Sequence, residues 1–283
     1  MTQRIALLGH PVAHSISPRF QQAALDALAI DARYEAWDVP PADLPIALER
    51  LRSAELLGAN VTVPHKEAVF RLVDRLDPLA ERVGAVNTIV RRDGQLHATN
   101  TDVAGILAAL AGIPLHGASV LLLGAGGAAR AVVVAMHQAG VSRLTIANRT
   151  LDRARALAVL APGIEVIPCS LEATDATLRE AMAGASLVIQ STTIGMLHGP
   201  DEAGSPVPAD WFQPGQTAFD LVYNPERTPF LRAAEAAGAR PLGGLAMLVH
   251  QGAEAFRLWT GVEPPLDVMF DAARTAMKEM ASR

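Results

Sequence analysis

The run Ser119-Val120-Leu121-Leu122-Leu123 passes directly into Gly124-Ala125-Gly126-Gly127-Ala128-Ala129-Arg130. An apolar strand, three glycines in four positions and a helical pattern from Ala128 to Ala139 leave few folds open. Glycine permits a tight turn and lets backbone N–H groups approach a pyrophosphate at a helix N-terminus. Ala129 stands where the third glycine of G-x-G-x-x-G usually falls, and alanine is small enough for close helix–strand packing. A plain turn at a strand end does not need so many glycines. The segment therefore predicts a dinucleotide loop, with Gly124, Ala125, Gly126, Gly127 and Ala128 around the phosphates.

The next strand, Leu144-Thr145-Ile146-Ala147, ends in Asn148-Arg149-Thr150, with Arg153 one helical turn on. An acidic residue here would suit the ribose 2′-OH of NAD. Two guanidinium groups, an amide and a hydroxyl suit a 2′-phosphate instead. The cofactor expected is NADP, with nearby Asp152 working against strict selectivity.

Short apolar segments alternate with helical ones along the whole chain. Ile5–Leu8, Tyr34–Trp37 and Asn60–Val63 read as strands, with Pro64 starting a helix. Val86–Val90, which includes Asn87, and Leu96–Thr99 flank Asp93-Gly94, a hairpin signal. From Asp102 onward the alternation has the period of βαβ units and a parallel sheet. Leu245–Trp259 and Leu266–Met280 read as two amphipathic helices that bridge the domains or return to the first one. The fold class expected is α/β. An N-terminal α/β substrate domain with a mixed sheet spans residues 1–101, completed by C-terminal helices of about 252–283. A Rossmann-type parallel-sheet NADP domain spans 102–251.

Composition removes several classes of function. A net charge of −5 with no basic patch or tail speaks against nucleic acid and anionic membrane. No apolar run reaches the roughly 18 residues of a membrane span, and the start lacks the form of a signal peptide. Cys169 is the only cysteine, so a reducing compartment, the cytoplasm, is expected. His10, His14 and His65 match no common zinc spacing, and no metal is assigned. The sequence does not specify an oligomeric state, and a homodimer is compatible with it.

Of the 24 basic residues only Lys66 and Lys278 are lysine. Arginine stays charged at any working pH, whereas a lysine in a pocket can give and take a proton. Lys66 ends Asn60-Val61-Thr62-Val63-Pro64-His65-Lys66, beside polar side chains. Read alone it is a surface cation at a helix start. Ser15 and Ser17 lie one residue apart before a helix at Pro18, so both can face one carboxylate, although Ser17 also suits an N-cap. Asp102, in Asn100-Thr101-Asp102, likewise reads as a helix cap, a role that Thr101 could equally fill.

Together, Asn60 to Lys66, Asn100-Thr101-Asp102, Gly124 to Arg130, Asn148-Arg149-Thr150 and Gln251-Gly252-Ala253 resemble the shikimate dehydrogenase family, in the same order and over essentially the whole chain. Ser15 and Ser17, Ser191-Thr192-Thr193-Ile194-Gly195-Met196 and Gly243 to Leu248 are similar to further motifs of that family. The resemblance implies reversible reduction of 3-dehydroshikimate to shikimate by NADPH. It implies Lys66 and Asp102 as the catalytic pair, and Ser15, Ser17, Thr62, Asn87, Tyr223 and Gln251 as substrate ligands. Thr192 and Met247 are implied on the cofactor side, Met247 beside the nicotinamide. Lys66 would stabilise charge on the substrate oxygen and deliver its proton. The rival readings are a quinate/shikimate dehydrogenase and a non-catalytic NADP-binding regulator; the latter would have no use for a proton donor.

Overall fold

A computed structural model describes residues 2–281. The chain divides into two compact units. One takes residues up to Gly105 together with those from Val249 onward, and the other is Ile106–Leu248.

The first unit is built on strands β1 (Gln3–Gly9), β2 (Ala32–Asp38), β3 (Leu56–Val61), β4 (Arg75–Leu76), β5 (Thr88–Arg92) and β6 (Gln95–Thr99), in the order β2-β1-β3-β5-β6-β4. Helices α1 (Ser17–Ala27), α2 (Leu44–Arg50), α3 (Lys66–Val69) and α4 (Pro78–Val83) connect them. The sheet is mixed: β1 runs parallel to β2 and β3, while β5 runs antiparallel to β3 and β6. Asp93 and Gly94 both have positive φ, 51° and 77°, which gives the tight β5–β6 hairpin that the sequence signals. Leu8, Leu48, Leu51, Ile89 and Leu96 are shut from solvent in one core cluster.

Helix α5 (Asp102–Ala109) leads into the second unit. There β7 (Ser119–Leu123), α6 (Gly127–Gln138), β8 (Arg143–Asn148), α7 (Leu151–Leu157), β9 (Glu165–Ser170), α8 (Ala176–Gly184), β10 (Leu187–Gln190), β11 (Thr217–Asp220), α9 (Pro229–Ala236) and β12 (Arg240–Leu242) alternate. All strand pairs are parallel, in the order β12-β11-β10-β7-β8-β9. This is the doubly wound order, with its switch point between β7 and β10. The sequence reading missed β9 and β12. Both carry a proline, Pro168 and Pro241, and both are edge strands, where a missing N–H is tolerated.

Helices α10 (Leu245–Thr260) and α11 (Leu266–Ala281) close the chain. Helix α11 packs along α1, and Trp259 Nε1 on α10 donates to Ile89 O at 2.8 Å. Gly252 permits the approach of α10 to α1: a Cβ there would lie 2.6 Å from Phe20 Cε2. Gln21 Nε2 donates to Gly252 O at 2.8 Å across the same contact. Helix α10 begins in the second unit and belongs to the first from Val249 onward, as does α11.

Candidate functional site

The mixed sheet collects polar residues at one end of its interior strands. Leu8 pairs with Val61, so β1 and β3 end side by side. Because β5 is antiparallel, it starts where β3 ends: Asn60 pairs with Thr88, and Thr88 pairs with Thr99 at the end of β6. Four chain segments therefore emerge at this end: the loop bearing Ser15 with Ser17 at the start of α1, the turn bearing Thr62 and Lys66, Asn87, and Asn100-Thr101-Asp102.

Two local readings change. Strand β3 stops at Val61, because His65 N–H returns to Thr62 O and closes a turn that contains Pro64. Helix α3 starts only at Lys66, after His65. His65 is buried and its Nε2 donates to Val39 O at 2.7 Å, so the turn before Lys66 is held at both ends. Asn87 lies one residue before β5 rather than on a strand. Its backbone N–H nevertheless reaches Thr99 O at 3.2 Å.

Lys66 Nζ donates to Asp102 Oδ2 at 2.5 Å, and the Asp102 side chain is only 3% exposed. Asn87 Nδ2 donates to Asp102 Oδ1 at 2.7 Å, to Thr101 Oγ1 at 2.9 Å and to Gln251 Oε1 at 3.2 Å. At the start of α5 Asn100 Oδ1 accepts from Asp102 N–H at 3.1 Å, so the Asp102 side chain does not serve that turn. The Asp102 carboxylate is thus free to meet Lys66. Ser17 caps nothing: Ile16 occupies the N-cap position of α1 and no side chain bonds there. Ser17 is buried, with its N–H 3.3 Å from Ser15 Oγ. Lys66, Asp102, Asn87 and Gln251 thus form one bonded group. Thr62 and Ser15 lie in loops at the same end of the sheet, and Ser17 starts α1 beside them.

In the second unit the predicted cofactor residues stand at the carboxyl ends of adjacent strands. Gly124 follows β7 with φ of 108°, and a Cβ there would lie 2.7 Å from Ser191 Oγ and 3.0 Å from Thr192 Cγ2. Only glycine suits both that backbone and that space. Gly126 is the N-cap of the 12-residue helix α6, and no side chain caps the helix. The first-turn N–H groups, from Gly127 and Ala128 onward, are left to meet an anion. Asn148 Nδ2 donates to Thr150 O at 2.8 Å. Arg149 and Arg153 are exposed, while Asp152 pairs with Arg155 at 3.0 Å. Asp152 is therefore engaged by a guanidinium of its own helix. Met247 is buried in the first turn of α10. Tyr223 lies in this unit too, in the loop after β11.

That loop starts from a buried acid which the sequence reading missed. Asp220 is fully buried, with Oδ2 2.6 Å from Thr228 Oγ1 and Oδ1 accepting from Val222 N–H at 2.9 Å. Burial pushes its carboxyl up to about 7, against the opposing pull of these two hydrogen bonds.

Residues 7–89 match the family model described as the shikimate dehydrogenase substrate binding domain. Residues 107–195 match shikimate/quinate 5-dehydrogenase, and 244–274 the shikimate 5′-dehydrogenase C-terminal domain. The shikimate dehydrogenase (NADP(+)) of Moorella thermoacetica is 48% identical over 279 residues, 98% of this chain and 94% of that protein. This chain belongs to the shikimate dehydrogenase family. Among solved shikimate dehydrogenases, that of Thermus thermophilus in complex with NADP(H) and shikimate is 44% identical with a TM-score of 0.86. The match covers 97% of this chain and 99% of that one. The quinate dehydrogenase of Corynebacterium glutamicum in complex with NAD has a TM-score of 0.87 at 31% identity, covering 97% of this chain and 99% of that one. The Asp220–Thr228 pair lies outside the motifs that carry the sequence resemblance.

Proposed function

We propose that this protein interconverts 3-dehydroshikimate and shikimate reversibly with NADP, using Lys66 and Asp102 as the proton-transfer pair. The observation that carries the reading is the 2.5 Å contact of Lys66 Nζ with the buried Asp102 carboxylate at the polar end of the sheet. The nearly full-length kinship with NADP-dependent shikimate dehydrogenases supports it.

Lys66 stands against the substrate oxygen that changes between carbonyl and hydroxyl. Its ammonium stabilises the negative charge that grows there and gives up a proton to it. Asp102 holds the amine in place and accepts from a neighbouring hydroxyl of the ring. Ser15 and Ser17 bind the substrate carboxylate. Thr62, Asn87, Gln251 and Tyr223 bind the ring hydroxyls and fix the ring's orientation.

Bound NADPH supplies the hydride. The backbone from Gly124 to Ala128 holds the pyrophosphate, as the close quarters at Gly124 and the uncapped start of α6 favour. Asn148, Arg149, Thr150 and Arg153 would hold the 2′-phosphate, Met247 would pack by the nicotinamide, and Thr192 would contact the cofactor. The unit that runs up to Gly105 and resumes at Val249, with Asp102 and Gln251, carries the proton chemistry and most of the substrate contacts, and Ile106–Leu248 carries the cofactor. The cytoplasm suits an enzyme whose only thiol, Cys169, is buried.

The test is an activity matrix of shikimate and quinate against NADP and NAD. The reading expects shikimate with NADP to dominate. Preference for quinate would move the enzyme to the neighbouring specificity, and a flat trace in all four wells would remove the enzymatic reading.

A further inference from the structure

Behind Asp102 the hydrogen bonds run in one direction. Two partners fix the Asn87 amide. Thr101 N–H, which can only donate, meets Asn87 Oδ1 at 2.7 Å, and the Asp102 carboxylate takes Nδ2–H at 2.7 Å. Asn87 Oδ1 then also accepts from Thr88 Oγ1 at 3.0 Å. That leaves the Thr88 oxygen as an acceptor for Asn60 Nδ2 at 3.2 Å. The Asn60 amide is fixed in the same way, because its Nδ2 also faces the main-chain carbonyl of Asn87 at 3.2 Å. Asn60 Oδ1 must therefore point to Tyr34, whose hydroxyl donates to it at 2.8 Å. Along this series every donor points from Tyr34 toward Asp102, through side chains that are buried throughout, and Thr101 Oγ1 joins it as a side branch 3.1 Å from Thr88 Oγ1. None of Tyr34, Asn60 or Thr88 has a part in the mechanism above.

We infer that Tyr34 is a positioning residue of the reaction, acting through Asn60, Thr88 and Asn87 to fix the Asp102 carboxylate and hence Lys66. This rests on the reading of Lys66 and Asp102 as the proton-transfer pair. In a low-dielectric interior each bond of such a series polarises the next. Without the phenol, Asn60 Oδ1 loses its donor. Turning the amide over would instead set that oxygen against the Asn87 carbonyl. Either outcome loosens the grip on Asn87 at the other end. Burial pushes the Tyr34 hydroxyl well above its ordinary range, so it stays protonated and donating. The ring is held separately, tilted against Trp259 with centroids 6.1 Å apart, so removing the hydroxyl leaves that packing in place.

The experiment compares Tyr34→Phe, Thr88→Val, the double variant and Thr88→Ser. Tyr34→Phe and Thr88→Val should each lower kcat about fivefold to tenfold, the factor that one hydrogen bond is worth. The KM for NADP should not change. The double variant should lose no more than the worse single one, because both cut the same series. Thr88→Ser, which keeps the hydroxyl, should recover most of what Thr88→Val loses. Wild-type kcat in Tyr34→Phe, or losses that multiply in the double variant, would overturn the inference. If Tyr34→Phe does not fold, equal kcat in Thr88→Val and Thr88→Ser overturns it instead. Lys66→Met separates the two levels. Turnover surviving there removes the pair itself, whereas an inactive Lys66→Met beside fully active Tyr34→Phe and Thr88→Val sinks the series alone.

Discussion

Lys66 and Asp102, 36 residues apart in the chain, meet through a 2.5 Å hydrogen bond. The other Asp102 oxygen is taken by Asn87, so the carboxylate holds the amine in one place. Lys66→Arg keeps the positive charge but offers a group that does not release its proton. Its kcat should fall by about 10²- to 10⁴-fold, the usual worth of general acid catalysis. Shikimate binding, followed by calorimetry, should survive in part. Near-normal kcat would remove Lys66 as the proton donor.

Arg149 is exposed and Asp152 is already paired with Arg155, which leaves Arg149 and Arg153 to a phosphate. Arg149→Asp removes one charge-assisted contact and adds a repulsion. The kcat/KM with NADP should drop by roughly 10- to 100-fold, as expected for the loss of such a bond. The value with NAD should hold or rise. An unchanged ratio of the two would exclude Arg149 as the reader of the 2′-phosphate.

Gly252→Ala tests the approach of α10 to α1. The new methyl would meet Phe20 Cε2 at 2.6 Å and Gln21 Nε2 at 3.0 Å. Overpacking of this kind costs about 1–3 kcal/mol. Chemical denaturation should show a lower midpoint at unchanged m. Wild-type stability would mean that the Phe20 ring yields freely.

Asp220 makes stability depend on pH. Its carboxyl is pushed from 3.8 up to about 7 in the folded state. The folded form therefore holds its proton after the unfolded chain has released it. The contribution is complete below about pH 4 and is lost as pH rises through about 7, for a total on the order of 4 kcal/mol. Asp220→Asn keeps an acceptor for Val222 N–H and offers Thr228 a donor, as the protonated acid does. Unfolding free energies measured from pH 4 to pH 8 should fall less steeply in the variant than in the parent protein. Parallel curves would show that Asp220 keeps an ordinary pKa.

The sequence made the second unit easier to read than the first. Leu121 to Gly127 combines a buried strand, a glycine turn and a helix start, all local signals, and the structure has each of them. Strands β9 and β12 were hidden because Pro168 and Pro241 argue against a strand until the edge position is known. In the first unit Lys66 and Asp102 stood out by residue type and motif. Their meeting depends on β5 reversing direction between β3 and β6, which no local pattern reports. Tyr34 shows the limit most clearly. Its neighbours Arg33 and Glu35 lie on the opposite face of the strand, and its hydroxyl finds Asn60, 26 residues away, only through the pairing of β1 with β2 and β3.

The first unit is sewn from two stretches of chain separated by Ile106–Leu248, with α11 lying along α1 and Trp259 bonded to the strand of Ile89. On the ribosome, its first stretch must wait for residues from Val249 onward before its hydrophobic surface is covered. Ile106–Leu248 needs no such delay and can reach its native state while synthesis continues. The half that bears Lys66 would therefore be the later of the two to mature.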